Sequence, residues 1–288
     1  MDTKIRNPCH KKDSDIMPEE RQIIDEPEKK RDDFVKLCCA DLYQQTAVKF
    51  FLGNSFHPGG MALTRKLAEE LSFSKEKLVL DIGCGEGTTV FFLADNFGCK
   101  LTGIDSSEKA IKIAIEENKN PNRIAFQVAD AENLPFPGNR FDAVLTECVF
   151  STFSQKEKCA GEIFRVLKPG GLWGMSDMLV EQNLLPETMK GLLFQAVCIG
   201  EALNLKEYEK IMMDHGFQKI KIEDVSWALE FWMDQIEKKL LAAKLLAAAS
   251  NFAISENDLK KAQGFLEQGK ELVRGKIIGY GILIGEKP

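Results

Sequence analysis

The segment Val79-Leu80-Asp81-Ile82-Gly83-Cys84-Gly85-Glu86-Gly87 constrains this chain more than any other. A short apolar run ends beside an acidic residue, and three glycines follow at alternate positions. The run at 78–82 reads as a buried strand and Thr88–Asn96 as a helix, so the glycines fall at a strand-to-helix turn. Glycine lets the backbone bend sharply there and come close to a ligand. The alternation continues downstream. Lys100–Asp105 is expected as a second strand, Ser107–Asn118 as a helix, and Ile124–Ala129 and Phe141–Thr146 as the third and fourth strands. Lys156–Leu167 reads as a helix stopped by Lys168-Pro169-Gly170-Gly171, with a fifth strand at Leu172–Ser176. Helical stretches are expected near Pro186–Gly200 and Leu205–His215, then a sixth strand at Phe217–Val225. A helical insertion over Ala228–Arg274 and a last strand at Lys276–Gly285 complete the pattern. Strands alternating with helices imply a three-layer α/β fold, a doubly wound parallel sheet covered on both faces.

The N-terminal side differs. Residues 1–31 are dominated by charge, have few apolar residues and show no period, so they read as a disordered or loosely attached tail. Apolar residues at helical spacing begin at Phe34, Val35, Cys38 and Leu42. A turn at 53–60 and a helix at Ala62–Leu71 follow. The expected organisation is therefore one domain over 32–288. It comprises an N-terminal helical cap (32–76), a core (77–180), substrate-side helices with the sixth strand (181–227), an insertion (228–275) and the last strand (276–288). The apolar stripe of the insertion (Met233, Ile236, Leu240, Leu245, then Leu259, Ala262, Leu266, Val273) suits a helix-pair core, a lid or a dimer face.

Composition narrows the setting. The chain of 288 residues has eight cysteines, too sparse for a disulfide-stapled mini-protein, and no C-x-x-C pair that would suggest zinc. The apolar stretch near Leu240–Ala249 is interrupted by Lys244 and too short to span a bilayer, and no apolar leader opens the chain. A cytoplasmic protein with reduced thiols is expected. The net charge of −6 argues against a nucleic-acid surface. Oligomeric state is not legible.

Asp105, at the end of the second strand, suits a nucleotide ribose, because one carboxylate can accept from two hydroxyls. Asp81 precedes the first glycine, where a carboxylate would repel a pyrophosphate but suits a cationic ligand. The third strand leads into the polar turn Asp130-Ala131-Glu132-Asn133-Leu134-Pro135-Phe136. An alternative for Asp105 and Asp130 is that they only cap helices or turns. Together these motifs, over about Lys77–Val180, resemble the class I S-adenosylmethionine (SAM)-dependent methyltransferases. The resemblance implies SAM as cofactor and a Rossmann-like seven-stranded sheet whose last strand is antiparallel. It places Gly83, Gly85 and Gly87 around the methionine part, Asp105 and Ser106 by the ribose, and Asp130 and Ala131 by the adenine. Asp81 and Glu147 complete the implied cofactor set.

Ligands in open α/β sheets lie beyond the carboxyl ends of the strands, so Cys148 in Thr146-Glu147-Cys148-Val149-Phe150 is expected beside the methyl donor. Cys198, in Cys198-Ile199-Gly200-Glu201-Ala202-Leu203, falls in the region roofing the same crevice. These two segments, with Ser176-Asp177 and Glu207-Tyr208, resemble arsenite methyltransferases of the type 11 methyltransferase domain. That resemblance implies trivalent arsenic held by Cys148, Cys198 and one of Cys38 or Cys39. Thiolates suit a soft ion. The adjacent Cys38-Cys39 pair and the Gly53-Asn54-Ser55-Phe56-His57-Pro58-Gly59-Gly60 turn depart from it. His57 reads as a general base, a substrate-binding group or a turn histidine, and Glu147 as facing donor, substrate or solvent. Cys99 and Cys159 read as packing residues, Cys9 as a tail thiol, and Cys84 as fortuitous or redox-sensitive. Rival readings are methylation of a small organic metabolite and a non-catalytic SAM- or metalloid-binding protein.

Overall fold

The computed structural model describes residues 57–186, 198–249 and 256–288. Their elements run α1 (Gly60–Glu70), β1 (Leu78–Ile82), α2 (Thr88–Phe97), β2 (Lys100–Asp105), α3 (Glu108–Glu117), β3 (Ile124–Val128), β4 (Phe141–Glu147), α4 (Lys156–Val166) and β5 (Leu167–Val180). After them come α5 (Leu205–Asp214), β6 (Gln218–Asp224), α6 (Ser226–Ala249), α7 (Glu256–Arg274) and β7 (Ile278–Glu286). Single 3-10 turns at Phe150–Thr152 and Gln182–Leu184 were not expected from the sequence. The expected tail, the cap residues Cys38 and Cys39, and most of the expected helix at Pro186–Gly200 lie outside the described residues.

The seven strands form one sheet in the order β3-β2-β1-β4-β5-β7-β6. Strands β1 to β5 pair in parallel, and β7 is antiparallel to both β5 and β6. The order reverses between β1 and β4, which makes the crevice above these two strands the topological switch point where such sheets bind ligands. The inner strands β1, β2, β4, β5 and β7 are buried on both sides, whereas the edge strands β3 and β6 are largely exposed, and neighbours along the inner strands alternate between two cores. Val79 joins a core with Leu63, Leu67, Val90, Leu93 and Ile278, while Leu80 joins another with Phe141, Ile163, Trp173 and Met212. Each such side chain, fully buried, contributes about 1.5–3 kcal/mol. Cys99 is fully buried in the first core and Cys159 in the second.

Helix starts follow the local sequence. Ser107 caps α3 by accepting from the Ala110 amide at 3.2 Å. Asn204 and Glu207 form a reciprocal capping box at α5. The fifth strand departs from expectation. It begins at Leu167, runs through Pro169, Gly170 and Gly171, and extends to Val180. A bulge against β4 between Phe141 and Ala143 absorbs the turn-like residues, with Gly170 at φ 74°. The amide of Gly170 then bonds the Lys287 carbonyl at 2.7 Å, so the segment stays in the sheet. At its other end Asp177–Val180 pairs with Ile278–Gly281 of β7. The insertion is a helix pair. Leu240, Leu259 and Leu266 pack with Met233, Ile236 and Ala262, and Lys270 of α7 pairs with Asp234 and Glu237 of α6. Val273 instead joins the first sheet core. Among the described residues, no helix is long and apolar enough to cross a membrane.

Candidate active site

The glycine turn is anchored from β2. The amides of Gly83 and Cys84 both donate to the Ile104 carbonyl, at 2.8 and 3.0 Å. Asp105 then reaches back: one carboxylate oxygen accepts the Gly85 amide at 2.9 Å and the other the Ser107 amide at 2.9 Å. Burial raises the Asp105 pKa, and these amide bonds oppose the rise. Gly83 has φ 77°, and a Cβ there would lie 2.5 Å from Val149 Cγ2, so only glycine fits. A Cβ on Gly85 would meet no protein atom within 4 Å. The loop therefore presents bare backbone to open space at Gly85.

Three carboxylates surround this loop. Asp81 is the penultimate residue of β1, Asp105 ends β2 and Glu147 ends β4. Asp81 is fully buried, and one of its oxygens has no hydrogen-bond partner. Burial first, then the charges of Glu147 and Asp105, hold its pKa well above the ordinary carboxylate range. A cluster of buried acids with an orphaned oxygen suits a cationic ligand carrying donor groups. That observation fits SAM, whose sulfonium and ammonium are positive.

Glu147 is held by partners the sequence did not reveal. The Thr64 hydroxyl of α1 lies 3.0 and 3.1 Å from its two oxygens, and the Thr89 hydroxyl of α2 donates at 3.3 Å. His57 Nε2 lies 3.8 Å from the same carboxylate and 3.4 Å from Thr64 Oγ1, while its Nδ1 faces the Pro58 carbonyl at 3.3 Å. His57 is thus a buried residue with both ring nitrogens facing protein oxygens. Asp130 accepts the Glu132 amide at 2.9 Å, a local turn, with Ala131 buried beside it. Ser106 is exposed. Cys84 is buried, its Sγ donating to the Gly85 carbonyl at 3.7 Å.

The residue after Glu147 faces different company. The Cys198 thiol lies 3.4 Å from the Cys148 carbonyl, although fifty positions separate them. Both hold a left-handed backbone (φ 53° and 64°) that non-glycine residues rarely adopt. Such strain costs of order 1–3 kcal/mol and clusters at functional sites. The Cys198 thiol beside it, then burial, push the Cys148 thiol well above the ordinary thiol range. Below this pair, the Ser176 carbonyl accepts the Cys148 amide at 2.7 Å and the Tyr280 hydroxyl at 3.3 Å. Asp177, fully buried, accepts the amides of Ser151 and Met178 at 3.0 and 2.8 Å. Tyr208 is buried nearby, accepting the Leu203 amide at 3.1 Å. The structure thus brings Cys148 and Cys198 together. Cys38 and Cys39, the other expected sulfurs, lie outside the described residues.

Thr64, Thr89 and Tyr280 were missed by sequence reasoning. Thr89 alone left a trace there, as a hydroxyl in the first turn after the glycine loop.

Comparison with known proteins places this geometry. A family model described as a methyltransferase domain matches residues 73–231, more than half of the chain. An uncharacterized protein of Haemophilus influenzae is 39% identical over 131 residues, covering 44% of this chain and 52% of its own. The uncharacterized methyltransferase YodH of Bacillus subtilis is 30% identical over 166 residues, covering 57% of this chain and 69% of its own. Among solved structures, phosphoethanolamine N-methyltransferase 2 of Haemonchus contortus in complex with SAM superposes with a TM-score of 0.73 at 22% identity. That match covers 87% of this chain and 60% of the other. The chain thus spans about half the length of the Haemophilus relative.

Proposed function

The chain belongs to the methyltransferase domain family, and from that premise we propose that it methylates a small thiophilic acceptor, a trivalent arsenical, seated on Cys148 and Cys198. SAM is the methyl donor, and it supplies a methyl group on a positively charged sulfur. The residues around the loop suit such a donor. Gly83, Gly85 and Gly87 offer a backbone that a ligand can approach, Asp105 a carboxylate for the ribose, and Asp130 with Ala131 the adenine turn. Asp81 and Glu147 supply negative charge for the cationic amino-acid end.

The observation that carries the acceptor reading is the approach of Cys198 to Cys148, the residue that follows Glu147: Cys198 Sγ donates to the Cys148 carbonyl at 3.4 Å, and the Cys198 side chain perturbs the Cys148 thiol. Trivalent arsenic is soft and binds sulfur in preference to oxygen. Its lone pair is the nucleophile, so an As–C bond forms as the S–C bond breaks and the electron pair returns to sulfur. No general base is needed, and positioning carries the rate. This agrees with a His57 whose two nitrogens are both engaged.

A second reading, methylation of a small organic amine, is supported by the Haemonchus contortus neighbour, named for phosphoethanolamine N-methylation. The test is incubation with methyl-labelled SAM, a thiol reductant, and either arsenite or phosphoethanolamine. Label in methylated arsenic supports the arsenical. Label in the amine alone, or no transfer while SAM binds, sinks it.

A further inference from the structure

Among the described residues, every group facing the His57 ring nitrogens is an oxygen. Pro58 offers a carbonyl to Nδ1 at 3.3 Å, which can only accept. Glu147 can only accept, and its oxygens already receive the Thr64 hydroxyl at 3.0–3.1 Å. With the Thr64 proton committed there, Thr64 Oγ1, 3.4 Å from Nε2, also acts as an acceptor toward the ring. The full set of contacts is met when both ring nitrogens carry protons, that is, by an imidazolium facing a carboxylate. The two side chains are 7% and 4% exposed, so water screens them little.

We propose that His57 is the resident counter-ion of Glu147, displaced in charge by the cationic amino-acid end of the methyl donor. The inference rests on the donor reading above and adds a proton linkage to it. Donor binding and His57 protonation compete for one carboxylate, which Thr64 and Thr89 hold in place from α1 and α2. Loss of the His57 proton frees the Glu147 charge for the donor.

Among the described residues, the other charged and titratable groups around the pair are few. Asp81 of β1 feels the Glu147 charge directly, with Asp105 of β2 beyond it, and the Tyr280 hydroxyl of β7 feels it too. On α1, Arg65 bonds Asn96 and stacks on Phe92, while Lys66 pairs with Glu223, so both are engaged elsewhere. On α6, the residue meeting the turn after His57 is Ala228, next to Gly59. Imidazole is the side chain that changes charge between about pH 5 and 8. The donor's α-amino group titrates near about 7.7–8.0, so the scan stays below it.

The experiment is calorimetric titration of the full chain with SAM at about pH 5.5, 6.5 and 7.5, in two buffers of different ionisation heat. Wild type is expected to bind roughly tenfold more tightly at the top of the range than at the bottom, and to release protons on binding. His57→Gln is expected to bind equally well throughout and to release fewer protons, any remainder coming from Asp81. Glu147→Gln is expected to bind weakly at every pH, with no His57-linked slope. A flat wild-type profile, or a His57→Gln variant with the wild-type slope and proton count, overturns the proposal. The buffer comparison on wild type stands even where a variant fails to fold: zero proton release there also overturns it. Absence of SAM binding in wild type at every pH overturns the donor reading as well, which separates the two failures.

Discussion

Glu147 and Cys148 are neighbours in the chain but belong to opposite halves of one crevice. On the Glu147 side the groups are oxygens: three carboxylates, two threonine hydroxyls and the bare amides of a glycine turn. On the Cys148 side they are a pair of thiols over buried Tyr280, Tyr208 and Asp177. A single strand end thus divides a half built from hard oxygens from one built around sulfur. The left-handed backbone at Cys148 marks the point where the chain changes company. The difference is suited to holding two reactants of unlike chemistry next to each other. A cation is drawn to one half, and a thiophilic atom to the other.

The comparison is broken most strongly at the glycine turn. Gly83→Ala would force a Cβ against Val149 and a side chain into a left-handed conformation, a cost of about 1–3 kcal/mol. SAM affinity, read by calorimetry, is expected to fall by roughly tenfold to a hundredfold. Arsenite uptake by Cys148 and Cys198 should survive in any folded fraction. Loss of both together would show that the halves are not independent.

The next effect separates stability from binding. Burial, above all, raises the folded pKa of Asp81 well above the ordinary carboxylate range. An acid shifted upward holds its proton longer in the folded state than in the unfolded one. Stability therefore falls as pH rises above the unfolded pKa and toward the folded one. Asp81→Asn removes that penalty, so the thermal midpoint at neutral pH is expected to rise, by about 2–4 °C for each kcal/mol relieved. SAM affinity should fall in the same variant. A midpoint that drops, in thermal unfolding followed by circular dichroism, would contradict the assignment of a destabilising buried charge.

The smallest effect is expected at Asp130→Asn. The amide oxygen of asparagine can still accept from Glu132, so stability should change by less than about 0.5 kcal/mol in denaturant unfolding. A large loss would mean that the carboxylate has a partner beyond its own turn.

How much of this was legible beforehand differs between the two halves. The order of strands followed from apolar runs and glycine or proline stops, because β1 to β4 are short and each is bounded by residues that break pairing. The same logic failed at β5. Pro169-Gly170-Gly171 has the composition of a stop, yet a bulge carried it within the sheet, since pairing with β7 and Lys287 outweighs local preference. On the oxygen half, the glycines, Asp81 and Asp105 stand close in sequence or at strand ends, and a motif exposes them. Thr64 and His57 reach Glu147 only through the tertiary packing of α1, which no local pattern encodes. On the sulfur half, Cys148 and Cys198 could be paired only by placing both on an inferred strand order. Tyr280 enters from the last strand, where apolar residues and glycine dominate the sequence.

The central claim is that Cys148 and Cys198 seat the acceptor. Arsenic-edge X-ray absorption of the chain loaded with one equivalent of arsenite tests it most directly. The account predicts sulfur neighbours around arsenic whose number drops in Cys148→Ser and in Cys198→Ser, and does not drop in Cys159→Ser. An arsenic environment that is the same in all three variants, or that contains only oxygen in the wild type, would contradict it.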